Sequence, residues 1–236
     1  LDPGMNSPGQ NPLQVIDTLL ARNDLAGAAD ISSRLTAAGS PRMSLHFLHA
    51  TVCLKLGRYQ EAEATVQRAA TLAPAAPGEL VELARRLMYF NLSGDMVAVA
   101  ERLLARPSWH APAEADFAAM LSMAGEQVLA TRLLDRAIGL AGAGPARLYN
   151  RSQMRLYSGR LADAEEDLRH CLRLDPAMAK AHWALSKVAT APAADEELLA
   201  MQRLATSLAP GSQDAVYLRF AQFNRLDQAR RHDDAW

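Results

Sequence analysis

Net charge is almost absent from this chain: 25 lysines and arginines stand against 26 aspartates and glutamates over 236 residues. That balance removes the electrostatic case for nucleic acid as the main partner, which calls for a basic patch or stripe. Cysteine is scarce. Cys53 and Cys171 lie far apart with no CxxC pair, so no disulfide framework is indicated and a reducing, cytoplasmic setting is the expectation. No uncharged apolar run approaches the ~18–20 residues that cross a bilayer, and no signal-peptide pattern opens the chain. The chemical motifs are missing as well: there is no GxxxxGK[ST], HExxH, GxSxG or EF-hand loop. Gly139-Leu140-Ala141-Gly142-Ala143-Gly144 follows a helical stretch and fails the dinucleotide spacing, so it reads as a flexible turn. The chain is therefore expected to be non-catalytic and to need no cofactor.

What is present is a rhythm. Asn23, Gly57, Gly125 and Gly159 are separated by 34, 68 and 34 residues, so one beat of 34 is skipped and then recovered. Five positions after each stands an alanine: Ala28, Ala62, Ala130 and Ala164. A fixed period of this length marks stacked helix–turn–helix units. Half the residues are hydrophobic, enough for such an array to bury a core.

Residues 43–76 show what each position must do. Leu45, Leu48, Val52 and Leu56 recur at helical spacing until Gly57-Arg58-Tyr59 interrupts. A second run from Glu61 to Leu72 stops at Ala73-Pro74. Glycine can take the left-handed conformation that ends a helix. Two helices joined by so few residues pack antiparallel, and Ala62 falls where their backbones cross most closely. The unit from Leu148 through Gly159 and Ala164 to Pro176 reads alike. A third unit reads as displaced by about three residues, with Gly94-Asp95-Met96 as its turn and the Pro74–Gly78 stretch as the cause. In the sixth, Thr190 to Ala194 forms an irregular turn before a helix from Asp195 to Leu208.

Leu56-Gly57-Arg58-Tyr59-Gln60-Glu61-Ala62 and Leu161-Ala162-Asp163-Ala164-Glu165-Glu166-Asp167-Leu168, closed by Leu174-Asp175-Pro176, resemble the tetratricopeptide repeat (TPR). The resemblance covers nearly all of residues 11–210. It implies an all-α, right-handed superhelical solenoid of about six antiparallel helix pairs with a partial seventh. The family's tryptophan in the first helix is replaced by His46 and Leu148, and its Gly–Ala contact by Ala50 with Ala62 and by Ser152 with Ala164. A narrower likeness lies at the end. Leu218 to Asp227 and His232-Asp233-Asp234-Ala235-Trp236 resemble the last helical unit of bacterial proteins that join TPRs to a C-terminal sulfotransferase. The expected division is a disordered or cloning-derived stretch at 1–10, a TPR array at 11–210, and a truncated seventh unit at 211–236 before a missing domain.

The resemblance places ligands on the first helices. The implied contact residues for a protein or peptide are Tyr149, Asn150, Gln153, Tyr157, Lys180, Trp183 and Lys187, with Ala115 and Ala119 in equivalent places one unit earlier. Asn150 and Lys180 match two places of the family's carboxylate clamp, whereas Ala115 and Ala119 do not match the others. Tyr217, Phe220 and Phe223 form an aromatic strip with no covering helix, which suits a homodimer contact. His46, His49 and Cys53 share one helical face and all can bind zinc, but they occupy packing positions and no fourth ligand is evident, so no metal is expected. Arg147, Arg151 and Arg155 form a stripe that could hold an anion; ion pairing with Asp163, Glu165, Glu166 or Asp167 is the favoured reading. A regulatory, substrate-presenting role beside a sulfotransferase is the alternative to a plain binding module.

Overall fold

The computed structural model describes residues 11–235, so the expectation for residues 1–10 lies outside the described part. Every described element is a helix: α1 Pro12–Ala21, α2 Leu25–Ala37, α3 Met43–Lys55, α4 Tyr59–Ala70, α5 Pro77–Tyr89, α6 Ser93–Leu104, α7 Ala111–Met123, α8 Gln127–Ala141, α9 Pro145–Tyr157, α10 Leu161–Leu174, α11 Ala179–Val188, α12 Asp195–Ser207, α13 Gln213–Gln228 and α14 His232–Ala235. The chain divides into two compact units, one ending at Ala124 and one starting at Gly125. The all-helical expectation holds.

The skipped beat does not exist. Asn91, 34 residues after Gly57, sits at φ 54°, and Asn23, Gly57, Gly125 and Gly159 are also left-handed. Asparagine reaches this region because its short polar side chain tolerates it better than most residues do. The turn of the third unit is therefore at Asn91, and Gly94 lies inside α6, which corrects the expected displacement. The beat was hidden because Met96, and not an alanine, stands five positions after Asn91.

The same pair of hydrogen bonds closes four of these turns. The Gly57 N–H donates to Leu54 O (3.0 Å) and the Arg58 N–H to Cys53 O (2.8 Å). Asn23 with Asp24, Asn91 with Leu92, and Gly159 with Arg160 repeat the pattern. This is the helix stop in which a left-handed residue turns the chain back and satisfies two otherwise orphaned carbonyls.

Packing then follows from the small residues. Ala28, Ala62, Ala130 and Ala164 are fully buried, and Met96 fills the same place in the third helix pair. In the first unit α3 lies against α4, where Ala50 and Ala62 are both inaccessible, and Ile16, Ala28, Leu45 and Val52 form one core cluster. In the second unit α9 packs on α10, with Ser152 and Ala164 inaccessible, and Leu148, Leu168 and Leu185 share a cluster.

The sixth pair departs from this plan. No left-handed residue stands between α11 and α12, and α11 packs chiefly on α13, as does α12. Arg225 of α13 secures the irregular connection. It is buried, and its Nη1 donates to Ala191 O and to Gln228 Oε1 (both 2.8 Å). Gln228 Nε2 in turn donates to Ser186 O (2.6 Å) and Asn224 Nδ2 to Ser186 Oγ (3.0 Å). Side chains of α13 thus satisfy backbone carbonyls that a regular turn would have satisfied itself.

Candidate interaction surface

Within the second unit the first helices α9, α11 and α13 each carry one aromatic residue at the same repeat position: Tyr149, Trp183 and Tyr217, spaced by 34. Equivalent positions on stacked pairs project to one side, so the period alone brings them into a row. Trp183 and Tyr217 stack with ring centres 5.2 Å apart and planes 24° from parallel. Two ammonium groups complete the row. Lys180 Nζ lies 4.5 Å from the centre of the Tyr149 ring, and Lys187 Nζ lies 3.6 Å from that of Trp183. A cation over an aromatic face is held by the ring quadrupole.

Four of the seven residues expected from sequence are joined in these contacts: Tyr149, Lys180, Trp183 and Lys187. Gln153 is half-buried and donates to Ser152 Oγ (3.3 Å), and Asn150 is half-buried on the same helix. Tyr157 is exposed at the end of α9. Burial raises the Tyr149 phenol above its ordinary pKa, with the nearby Tyr217 and Tyr157 hydroxyls adding to it. Burial also lowers Lys187.

Tyr217, which the sequence groups with Phe220 and Phe223, stacks on Trp183, and its hydroxyl accepts a hydrogen bond from Gln213 Nε2 (2.9 Å). Only Phe220 of that strip is strongly exposed, at 57 %; Phe223 is half-buried. The sequence signal for Tyr217 was the 34-residue step from Trp183, masked because Tyr and Trp are not the same letter. Ala115 is also corrected: it is buried, not outward-facing.

The arginine stripe is consumed internally. Arg151 donates bidentately to Asp167 (2.9 and 2.6 Å) and through Nη1 to Asp135 Oδ1 (2.8 Å). Arg155 Nη1 is 2.7 Å from Asp167 Oδ2. Arg147 donates to the carbonyls of Gly142 and Ala141. Hydrogen bonding to Asp167, then to Asp135, outweighs desolvation and raises the Arg151 pKa above its ordinary value. The ion-pairing reading holds for Arg151 and Arg155, whereas Arg147 is held by backbone carbonyls rather than by a carboxylate.

A second concavity lies in the first unit. A cavity of about 500 Å³ is lined by Leu72, Leu83, Val99, Arg102, Pro107 and Trp109. Nothing in the spacing of the sequence pointed to it, because the connections after α4 and α6 build its wall together with α5 and α6.

Residues 44–75 and 146–178 match the family model of the tetratricopeptide repeat. These two stretches are tetratricopeptide repeats. They contain Gly57 with Ala62 and Gly159 with Ala164, the pairs on which the rhythm was first seen. The C-terminal part of a TPR repeat-containing protein from Cytophaga hutchinsonii shares the fold at TM-score 0.54 and 15 % identity, over 94 % of this chain and 97 % of that one. PilW, a type IV pilus biogenesis factor, aligns at TM-score 0.49 and 16 % identity over 86 % of this chain and 94 % of its own. YrrB, a TPR protein with an unusual peptide-binding site, aligns at 0.48 and 15 %, over 70 % and 85 %. No curated protein matches the chain. TPR repeats mark a protein-interaction module, and no helix among the described residues is long and apolar enough to cross a membrane.

Proposed function

We propose that this chain is a peptide-binding TPR module whose second unit grips an extended segment of a partner protein across α9, α11 and α13. The observation that carries the reading is the row of Tyr149, Trp183 and Tyr217 flanked by Lys180 and Lys187. Aromatic rings supply large, rigid contact area, and they dominate binding energy where such interfaces are measured. The two ammoniums select a segment carrying carboxylates beside its apolar side chains. Tyr157, Asn150 and Gln153 extend the same surface along α9. In this reading residues 11–210 carry the repeats and α13 supplies the first helix of a further pair.

The test uses fluorescence anisotropy with labelled peptides, one set acidic and aromatic, one with lysine replacing each acid. Binding of the acidic set, weakened by at least about tenfold in Trp183→Ala (more than 1 kcal/mol) with a smaller loss of melting temperature, supports the reading. Equal binding by the variant, or a variant that merely unfolds earlier, refutes it. A second reading places the chain beside a sulfotransferase. It rests on the sequence likeness of Leu218 to Asp227 and His232 to Trp236. Its test is sulfate transfer by the parent protein with and without the row of aromatics.

A further inference from the structure

A cluster of three ligand-type side chains lies in the first unit, on the two helices of its second pair. His49 and Cys53 stand one turn apart on α3 and are both buried; Glu61 stands on α4, 40 % exposed in its side chain. His49 Nε2 is 3.6 Å from Cys53 Sγ and 3.4 Å from Glu61 Oε1, and one ligand atom from each residue falls within 4.8 Å of the others. A tetrahedral ion with bonds of about 2.0–2.3 Å separates its ligand atoms by about 3.3–3.8 Å. The two His49 separations match such edges. His46, the partner that sequence suggested, is elsewhere: its Nε2 bonds Ser40 O (3.0 Å). Glu61 takes its place, brought in by the tight turn at Gly57.

The surroundings suit a metal ligand set. Ser32 Oγ is 2.9 Å from His49 Nδ1 and 3.3 Å from Ala29 O. A chain in which Nδ1–H donates to Ser32, and Ser32 to the Ala29 carbonyl, fixes the tautomer that leaves the Nε2 lone pair free for an ion. Glu61 is split in the same useful way. Its Oε1 faces His49, while its Oε2 lies 3.6 Å from Arg58 Nη1 at the surface. The exposed side of Glu61 admits an ion and leaves a fourth position for water.

We infer that His49, Cys53 and Glu61 form a site for one divalent transition-metal ion of the zinc class. Nitrogen, thiolate and carboxylate donors together suit zinc and cobalt rather than calcium or magnesium, which take oxygen ligands. The ion displaces the Cys53 thiol proton, which leaves to solvent, and cross-links α3 to α4 at the crossing made by Ala50 and Ala62.

The experiment is equilibrium dialysis of the reduced, chelator-stripped full chain against zinc alone, with cobalt as the optical probe. One zinc per chain is retained, and cobalt gives a thiolate charge-transfer band in the near ultraviolet. Cys53→Ala abolishes the band, and Glu61→Gln and Ser32→Ala each weaken retention by at least about tenfold. Cys171→Ala, which removes the other buried thiol, leaves both unchanged. No retained metal in the wild-type chain overturns the site, as does retention that Glu61→Gln leaves intact. Because Glu61 is partly exposed, that variant decides the matter if Cys53→Ala fails to fold, as judged by circular dichroism.

Discussion

Substituting alanine for glycine should change this protein's stability in opposite directions at two positions of the same unit. Gly57 has φ 72°, and a Cβ built there meets nothing within 4 Å. The cost of Gly57→Ala is therefore conformational alone. An L-residue loses about 1–2 kcal/mol in the left-handed region. A stiffer unfolded chain returns about 0.4–1 kcal/mol. The net loss is about 1 kcal/mol. Gly78 has the same open surroundings but lies in the first turn of α5 with ordinary helical backbone. Gly78→Ala should gain up to about 0.5–1 kcal/mol. At the cryptic beat, Asn91→Ala should cost about as much as Gly57→Ala, while Asn91→Gly stays within about 0.5 kcal/mol of wild type, since an asparagine-to-glycine exchange adds no left-handed penalty. Urea unfolding followed by far-ultraviolet circular dichroism resolves these values: 1 kcal/mol moves the midpoint by about 0.3–1 M at ordinary m values. The reasoning fails if Gly57→Ala is neutral or stabilising, or if Asn91→Gly costs as much as Asn91→Ala.

Other substitutions test the packing and the electrostatics. Asp167→Asn takes the buried carboxylate from the half-buried Arg151 and Arg155 and should cost about 3 kcal/mol, whereas Asp163→Asn, at the exposed pair with Arg160, should cost under about 1 kcal/mol; similar urea midpoints for the two would refute the network. Ala62→Leu should cost about 1–3 kcal/mol by forcing α3 from α4, while the exposed Ala64→Leu stays within about 0.5 kcal/mol, and a tolerated Ala62→Leu would show that the crossing is not tight. Burial pushes the Glu165 carboxyl up, but hydrogen bonds from Arg169 and from Thr190 outweigh it and hold its pKa below 4.5. Its contribution is then complete above that value and lost as pH falls through the lower folded pKa. The stability gap between wild type and Glu165→Gln should be flat from about pH 7 to about pH 5 and close on further acidification; a gap that persists unchanged to the acid limit would refute this.

Much of the candidate surface was legible before any coordinates. The period places one outward position per first helix, so Tyr149, Trp183, Lys180 and Lys187 could be chosen by register. Tyr217 escaped because an aromatic at a strip of aromatics reads as a strip, and only its contact with Trp183 shows which row it joins. Asn91 escaped because the alanine that follows the other beats is replaced by Met96, and only its left-handed φ shows that it is the same turn. Arg225 could not have been anticipated: an arginine on an amphipathic helix reads as solvated until the carbonyl it satisfies, that of Ala191, is known to face it.

Local chemistry along the chain determined the helices, their stops and the buried alanines, because capping and close backbone crossing depend on residues within a few positions of one another. Tertiary structure decided which polar groups meet. It joined Asp167 to two arginines of α9, Glu61 to His49 of α3, and Tyr217 to Trp183 of α11, since such pairings depend on how neighbouring helices settle against each other, and a period of 34 specifies that only to within a side chain's reach.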